Sequence, residues 1–262
     1  MGRDDGGTVR LTLEVTPQGP IGRLVIEHPE RRNAIGPAVI EALAERCAEL
    51  GPNDHLRLVT IRGAYGVFAA GANVRVMERL DPDGARAFIS SLHRAIDAVR
   101  RLPVPVIAVL ESYCFGAAME LAAACDMRIA VDDLVAGMPE VRVGIPSVIE
   151  AGLLPRLIGW GRTSELLFTG RSIDADEALR IGFVEKVVPA EALGAALDGW
   201  TRAILDCSPA AIRAQKAVMR GWEADDREGI RASIDIFAEC FRSGEPARRM
   251  APATNPAEGK RR

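Results

Sequence analysis

The sequence predicts an α/β fold, in which strands and helices alternate along the chain. Short apolar runs typical of buried strands alternate with segments whose apolar residues recur at helical spacing. The connections between them are short, and Gly and Pro mark most of the junctions. The chain has 262 residues, of which 48% are hydrophobic, which suits one large domain or a domain with a small addition.

A β-hairpin is predicted at the start of the chain. Apolar and polar residues alternate over residues 9–15, and a second strand over residues 21–27 follows a turn of Pro, Gln and Gly. A helix is predicted over residues 37–50, because Pro37 suits its first turn and Gly51 follows its end.

The rest of the chain continues the alternation and then becomes helical. Further strands are predicted over residues 56–61, 106–110, 127–131 and 134–137. Helices are predicted over residues 74–80, 82–101 and 116–124. Beyond Pro146 the sequence is mainly helical, with one short strand near residues 184–188. The predicted organisation is a core over residues 1–189, a helical C-terminal domain over residues 190–251 and a disordered tail over residues 252–262.

The composition argues against several classes of protein. The net charge is −3 and the isoelectric point is near 5.8, whereas nucleic-acid-binding surfaces are usually basic. The five cysteines are widely spaced and form no Cys-x-x-Cys pair, which indicates free thiols in a reducing compartment. No secretory leader or transmembrane run is found, so we expect a cytoplasmic protein that does not enter a membrane.

Two turns of small residues precede helices and could present backbone N–H groups. The first is Phe-Ala-Ala-Gly-Ala-Asn over residues 68–73, and the second begins at Gly116. Small side chains let a ligand approach the backbone, and N–H groups placed this way can stabilise a developing oxyanion. Taken alone, each segment is more often an ordinary tight turn.

Two glutamates accompany these turns. Glu120 lies among the apolar residues 117–124, where an ionised carboxylate would be costly to bury, and Glu140 follows Pro139 after a predicted strand. Alone, each is more often an exposed helix or loop residue. Together, two carboxyl groups and two N–H-presenting turns are what a thioester enolate mechanism requires. The amides stabilise the negative charge on the thioester oxygen, and the carboxyl groups transfer protons.

The ordered set of these motifs resembles the enoyl-CoA hydratase/isomerase (crotonase) superfamily, and within it the hydratases. Similar segments cover residues 32–34, 68–73, 116–126, 139–146 and 161–189. The resemblance extends over about residues 9 to 250. It implies a crotonase spiral of β-β-α turns with a helical C-terminal domain, assembled as a homotrimer or homohexamer.

The resemblance also implies the site residues. The amides of Ala72 and Ala117 would form the oxyanion hole, Glu120 would activate water, and Glu140 would protonate C2 of a 2-enoyl-CoA. Residues expected to contact the acyl-CoA thioester are Arg32, Ala34, Ala70, Gly71, Asn73, Val74, Gly116 and Gly144. No metal or redox cofactor is implied, since coenzyme A belongs to the substrate.

Alternative functions remain open from the sequence. An enoyl-CoA isomerase, or a lyase or decarboxylase of CoA thioesters, would use the same oxyanion hole. Isomerases of the superfamily commonly keep only the later glutamate, so the presence of both Glu120 and Glu140 favours hydration. A non-catalytic binding protein, including one that binds RNA, is the alternative from another class, and the acidic isoelectric point argues against it.

The chain departs from the hydratase pattern at two places. Asn73 stands where many relatives have Asp, and we expect it to cap the following helix. A Gly-rich stretch is replaced by residues 147–152, in which Ser147 and Glu150 have the spacing of a capping box. That interpretation is favoured over a role for Glu150 as an additional active-site acid.

The remaining candidates are assigned structural roles. His28, His55 and His93 are scattered without metal or triad spacing, and Cys114 has no adjacent histidine. Arg31, Arg32 and residues 260–262 could meet coenzyme A phosphates, but a solvated face is the favoured interpretation for each. A C-terminal apolar face for packing is predicted at Ile230, Ile234, Phe237 and Phe241.

Overall fold

The structure is a computed structural model that describes residues 6–78 and 80–224. The predicted hairpin is present: β1 (Thr8–Glu14) pairs antiparallel with β2 (Ile21–Glu27). Helix α1 (Pro37–Leu50) has the predicted ends, with Pro37 in its first turn and Gly51 at its C-cap. The next strand, β3 (Leu58–Gly63), begins two residues later than predicted.

The chain then alternates between short strands and helices. In chain order, the remaining elements are α2 (Val74–Met77), α3 (Pro82–Arg100), β4 (Val106–Leu110), β5 (Tyr113–Phe115), α4 (Ala117–Ala124), β6 (Met127–Val131), β7 (Val135–Gly137), α5 (Leu154–Thr169), β8 (Ser172–Asp174), α6 (Ala175–Ile181), β9 (Lys186–Val188), α7 (Leu193–Leu205) and α8 (Pro209–Ala224). Short 3-10 helices lie at Pro29–Arg31, Glu140–Val143, Ile149–Leu153 and Ala190–Ala192.

The strands form a larger and a smaller sheet. The larger sheet has the order β1-β2-β3-β4-β6-β9 and is parallel beyond the hairpin, whereas the smaller has the order β5-β7-β8. Successive turns of the chain place β4 and then β6 in the larger sheet, and β5 and then β7 in the smaller one. This repeated placement of one strand in each sheet confirms the predicted β-β-α spiral.

The core lies between the central strands and the helices. Strand β4 is buried along its whole length, as expected for an apolar run in a parallel sheet covered on both faces. Helix α3 packs on α1 and buries one stripe, formed by Phe88, Leu92, Ala95, Ile96 and Val99. Full burial of each large side chain in this stripe contributes about 1.5–3 kcal/mol. Helix α4 is buried on every side, although it contains Glu120.

Two short strands were not predicted, β5 and β8. Each has three residues, which is too short for a period-two pattern to be recognised. Their formation depends on β7, whose two edges they pair with in parallel and antiparallel ladders respectively. The statement that residues beyond Pro146 contain a single strand is therefore wrong, because β8 precedes β9.

The C-terminal part of the described chain is helical. The chain divides into two compact units between Ala203 and Ile204. The boundary after residue 189 stays a prediction. The predicted apolar face at residues 230–241, the predicted tail at 252–262 and the basic residues 260–262 lie outside the described residues.

Gly63, at the end of β3, provides a stability prediction. A Cβ at this position would lie 1.7 Å from the carbonyl oxygen of Val67 and 2.2 Å from that of Phe68. Because both are backbone atoms, we expect Gly63→Ala to lower the free energy of unfolding by about 3 kcal/mol or more, measured by urea denaturation. Gly199→Ala, in α7 with nothing within 4 Å of the added atom, is the matched control. It should raise stability by about 0.5–1 kcal/mol. Equal midpoints for the two variants would contradict this account.

Candidate active site

Strand β5 lies between two neighbouring segments, the one that contains Ala69 and strand β7. Ala69 forms a parallel bridge with Cys114, and Ala69 N–H donates to Tyr113 O at 3.0 Å. On the other side, Phe115 pairs with Gly137. Ala72 and Ala117 each lie three residues beyond this bridge, so the two turns begin side by side.

In the described part of the chain, the two turns leave two amides without acceptors. Ile35 N–H donates to Gly71 O at 2.8 Å and Asn73 N–H donates to Ile35 O at 3.0 Å, so the amide between them, that of Ala72, is not engaged. Ala117 is the first residue of α4, where backbone N–H groups have no intrahelical acceptor. Among the described residues, neither amide has a hydrogen-bond acceptor.

Gly71 is required by the close approach of these turns. Its φ is 101°, and a Cβ at this position would lie 2.7 Å from Phe115 O. The positive φ and the contact both exclude a side chain, so the residue before the first amide lies directly on the second turn. Asn73 caps α2, as predicted, because its Oδ1 accepts a hydrogen bond from Arg75 N–H at 3.2 Å.

The loop before α1 is held by a buried asparagine. Asn33 has a φ of 57°, its Oδ1 accepts from His28 N–H at 2.9 Å, and its Nδ2 donates to Ala64 O at 2.9 Å. The neighbouring Arg32 is exposed, and its guanidinium lies 5.0 Å from the ring centroid of Tyr113. This cation–π contact ties the loop to β5.

A pocket of about 540 Å³ opens at the two turns. Ala72, Ala117, Glu120 and Glu140 line it, so the structure brings together the four residues predicted to carry the chemistry. Apart from these glutamates, Arg86 and Ser147, its wall is apolar and consists of Met77, Leu80, Pro82, Ala85, Phe88, Ile89, Leu92, Ile145, Pro146 and Val148.

The other predicted contact residues do not line this pocket. They are Arg32, Ala34, Ala70, Gly71, Asn73, Val74, Gly116 and Gly144. Ala70 and Gly71 support the first turn, and Ala70 N–H donates to Arg32 O at 3.0 Å. Val74 and Gly144 are exposed to solvent, Gly144 as the left-handed C-cap of the Glu140–Val143 helix.

Glu120 is buried in the first turn of α4. Its side chain is 4% exposed, and Oε1 accepts a hydrogen bond from Ala151 N–H at 3.1 Å. Burial raises its pKa to about 8, the negative charges of Glu140 and Glu150 act in the same direction, and the Ala151 amide acts against them. At neutral pH the carboxyl group of the substrate-free chain is therefore mainly protonated.

Glu140 begins the 3-10 helix Glu140–Val143 and is half-buried. Its Oε2 accepts a hydrogen bond from Ser147 Oγ at 2.9 Å. Its Oε1 lies against Gly116, where a Cβ would be only 2.3 Å away. Gly116 thus makes room for this carboxyl group directly beside the Ala117 amide.

The predicted capping box of Ser147 and Glu150 is wrong. The Ile149–Leu153 helix has Val148 at its N-cap and no side-chain cap, because Ser147 binds Glu140 instead. Glu150 is 5% exposed, and its Oε1 lies 2.7 Å from Nδ1 of His93 on α3. Sequence reasoning missed this pair because His93 and Glu150 are 57 residues apart and carry no shared motif.

The remaining predictions concern a histidine, a cysteine, metal binding and membrane-spanning helices. His28 is buried with its Nδ1 3.2 Å from Ala34 O, and Cys114 is fully buried in the core, which confirms the structural roles favoured for both. Over residues 6–78 and 80–224, no cluster of three His, Cys, Asp or Glu side chains could hold a metal ion. In the same part of the chain, no helix is long and apolar enough to cross a membrane.

Comparisons with known proteins agree with this architecture. The family model for enoyl-CoA hydratase/isomerase matches residues 17–250. The human enoyl-CoA hydratase domain-containing protein 2, mitochondrial, is 31% identical over 94% of this chain and 86% of its own. The probable enoyl-CoA hydratase echA8 of Mycobacterium tuberculosis is 31% identical over 92% of this chain and 93% of its own.

Solved structures show the same fold. An enoyl-CoA hydratase from Bacillus anthracis superposes with a TM-score of 0.86 at 27% identity, covering 94% of this chain and 96% of its own. An enoyl-CoA hydratase/carnithine racemase from Magnetospirillum magneticum gives a TM-score of 0.84 at 29% identity, covering 94% and 92%. These neighbours confirm the predicted crotonase fold. By sequence and by structure, the chain belongs to the enoyl-CoA hydratase/isomerase family.

Proposed function

We propose that the protein adds water to a 2-enoyl-CoA and forms a 3-hydroxyacyl-CoA. The observation that carries the proposal is that Glu120 and Glu140 line the same pocket as Ala72 and Ala117, whose amides have no acceptor among the described residues. Two carboxyl groups and two fixed donors are the groups that hydration of an α,β-unsaturated thioester needs.

The proposed reaction proceeds through an enolate. The thioester oxygen accepts hydrogen bonds from the Ala72 and Ala117 amides, and water lies between the two carboxyl groups. Glu120 is mainly protonated in the substrate-free chain at neutral pH, so its proton first passes to Glu140. Ionised Glu120 then takes a proton from water as the water oxygen attacks C3, and the π electrons move toward the thioester oxygen. Protonated Glu140 then delivers its proton to C2. At the end of the reaction Glu120 holds a proton from water and Glu140 has given its proton to C2. Proton exchange between the two carboxyl groups, or with solvent, restores the starting state.

The pocket wall supports a hydrocarbon acyl group. The pocket is lined by the apolar side chains of Leu80, Phe88, Ile89, Leu92 and Ile145. Apolar contacts of this kind stabilise a buried hydrocarbon group without selecting one chain shape. A panel of substrates is therefore needed to determine the preferred chain length and branching.

The test is a substrate panel. Purified protein is incubated with crotonyl-CoA and with longer, branched and cyclic 2-enoyl-CoAs, and loss of the ultraviolet absorbance of the conjugated thioester is followed. Mass spectrometry should show a product heavier by one water. Absorbance gained from a 3-enoyl-CoA would instead indicate an isomerase. Binding of RNA at physiological salt without turnover of any thioester would favour the binding-protein alternative.

The base role of Glu120 makes a prediction about pH. Because the pKa of Glu120 is raised to about 8, the pair of carboxyl groups still holds one proton at neutral pH. The proposed reaction needs that proton on Glu140, and it is lost as the pH rises through about 8. We therefore expect kcat/KM to fall above about pH 8, measured with the best substrate of the panel. A kcat/KM that keeps rising through that pH would show that the reaction needs no carboxyl proton, and would contradict the role of Glu140 as proton donor.

The assembly and the location of the protein are further proposals. By resemblance to the family, we propose a homotrimer or a homohexamer in the cytoplasm. Light scattering of the full chain in solution gives the mass directly, and a monomer at micromolar concentration would contradict the assembly.

A further inference from the structure

A histidine–glutamate pair lies behind the proposed catalytic carboxyl group. His93, on α3, is 52% exposed, whereas the Glu150 side chain is 6% exposed, and Nδ1 of His93 lies 2.7 Å from Oε1 of Glu150. The other oxygen of Glu150, Oε2, is buried without a hydrogen-bond partner among the described residues. Burying a carboxyl group in this way costs free energy, and the contact with His93 offsets part of that cost.

The pair is connected to Glu120 through the backbone. Glu150 and Ala151 are consecutive in the 3-10 helix Ile149–Leu153, which packs against both α3 and α4. The Ala151 N–H donates to Glu120 Oε1 at 3.1 Å. Because this 3-10 helix has no side-chain cap, the His93–Glu150 contact is a polar link that anchors it to α3.

We propose that His93 and Glu150 are positioning residues for Glu120: His93 fixes Glu150, and Glu150 fixes the turn whose Ala151 amide orients the Glu120 carboxyl group. The proposal rests on the proposed hydratase function and adds a role to two residues outside the pocket lining. It also explains why a buried glutamate stands in the segment that departs from the hydratase pattern.

Glu150 also acts on Glu120 through its charge. The charged groups that act on Glu120 are Glu140 and Glu150, and those that act on Glu150 are His93 and Asp97 of α3. The negative charge of Glu150 disfavours ionisation of Glu120, and a neutral group of the same shape would not.

The first test distinguishes a positioning role of His93 from a role in folding. His93→Leu removes the link from an exposed site, and we expect kcat to fall between about ten- and a hundredfold with KM little changed. His93→Gln keeps a polar group that can reach Glu150 and should recover most of the loss. His55→Leu, at an exposed histidine outside the pocket, is the matched control and should retain parental kcat. An unchanged kcat in His93→Leu would overturn the proposal.

The second test does not depend on turnover. Carboxyl-labelled glutamate followed by carbon NMR reports the titration of Glu120, with Glu120→Gln identifying the resonance. His93→Leu releases the turn that holds the Ala151 amide, and because this amide lowers the pKa of Glu120, Glu120 should titrate at higher pH than in the parent. An unshifted titration in His93→Leu would overturn the proposal. A shift in a protein that hydrates no enoyl-CoA would support the pair and contradict only the proposed function.

Discussion

Glu140→Gln is expected to lower kcat for hydration by about 10²- to 10⁴-fold while the fold is retained. Glutamine has the same shape as glutamate and can still accept the hydrogen bond from Ser147 Oγ, so the half-buried site should keep its packing. It cannot deliver a proton to C2. Steady-state kinetics with the best enoyl-CoA measures the loss, and far-ultraviolet circular dichroism checks the fold.

A matched control is available for this variant. Glu191, like Glu140, lies in the first turn of a short 3-10 helix, but it is exposed and does not line the pocket. Glu191→Gln should have parental kcat and KM. Parental turnover in Glu140→Gln would eliminate Glu140 as the proton donor and would leave Glu120 as the one carboxyl group to consider in the pocket.

Gly116→Ala is expected to damage the oxyanion hole and the acid together. The φ of Gly116 is 51°, and the added Cβ would lie 2.3 Å from Glu140 Oε1, so either this carboxyl group or the backbone that presents Ala117 must move. Displacing one oxyanion donor costs about 10²- to 10³-fold in kcat, and we expect a loss of at least that size.

Gly66→Ala separates this effect from backbone strain. Gly66 also has a positive φ, 68°, but nothing lies within 4 Å of an added Cβ. Both variants should lose about 1–2 kcal/mol of stability from the positive φ, and Gly116→Ala should lose more because of its contact with Glu140. Gly116→Ala alone should lose activity. An equal loss of activity in both would show that strain, and not the geometry beside Glu140, is responsible.

Elements with local signals could be predicted from the sequence. Helix α1 was predicted with both ends because Pro37 and Gly51 mark them, and β4 was predicted because five apolar residues stand between a proline and a turn. The two turns that carry Ala72 and Ala117, and both glutamates, were predicted from short motifs in order. The structure brings them to one pocket.

Features that depend on distant partners could not be predicted in this way. Strand β8 has three residues and exists because Ile173 pairs with Ala136. Glu150 has the spacing of a helix cap after Ser147, but the tertiary contact with His93 determines its position. Propensity and spacing describe neighbours in sequence, whereas this contact arises only when α3 and the Ile149–Leu153 helix are packed together.

The backbone and the side chains of the pocket are proposed to serve different functions, and this has an evolutionary consequence. The proposed oxyanion donors are main-chain amides, so we expect their positions to depend little on which small side chain residues 72 and 117 carry. The apolar wall of the pocket, by contrast, consists of side chains, several of which lie on α3. Under the proposed function, we expect substitutions in that wall to give paralogues new acyl preferences while the proposed catalytic groups are inherited unchanged.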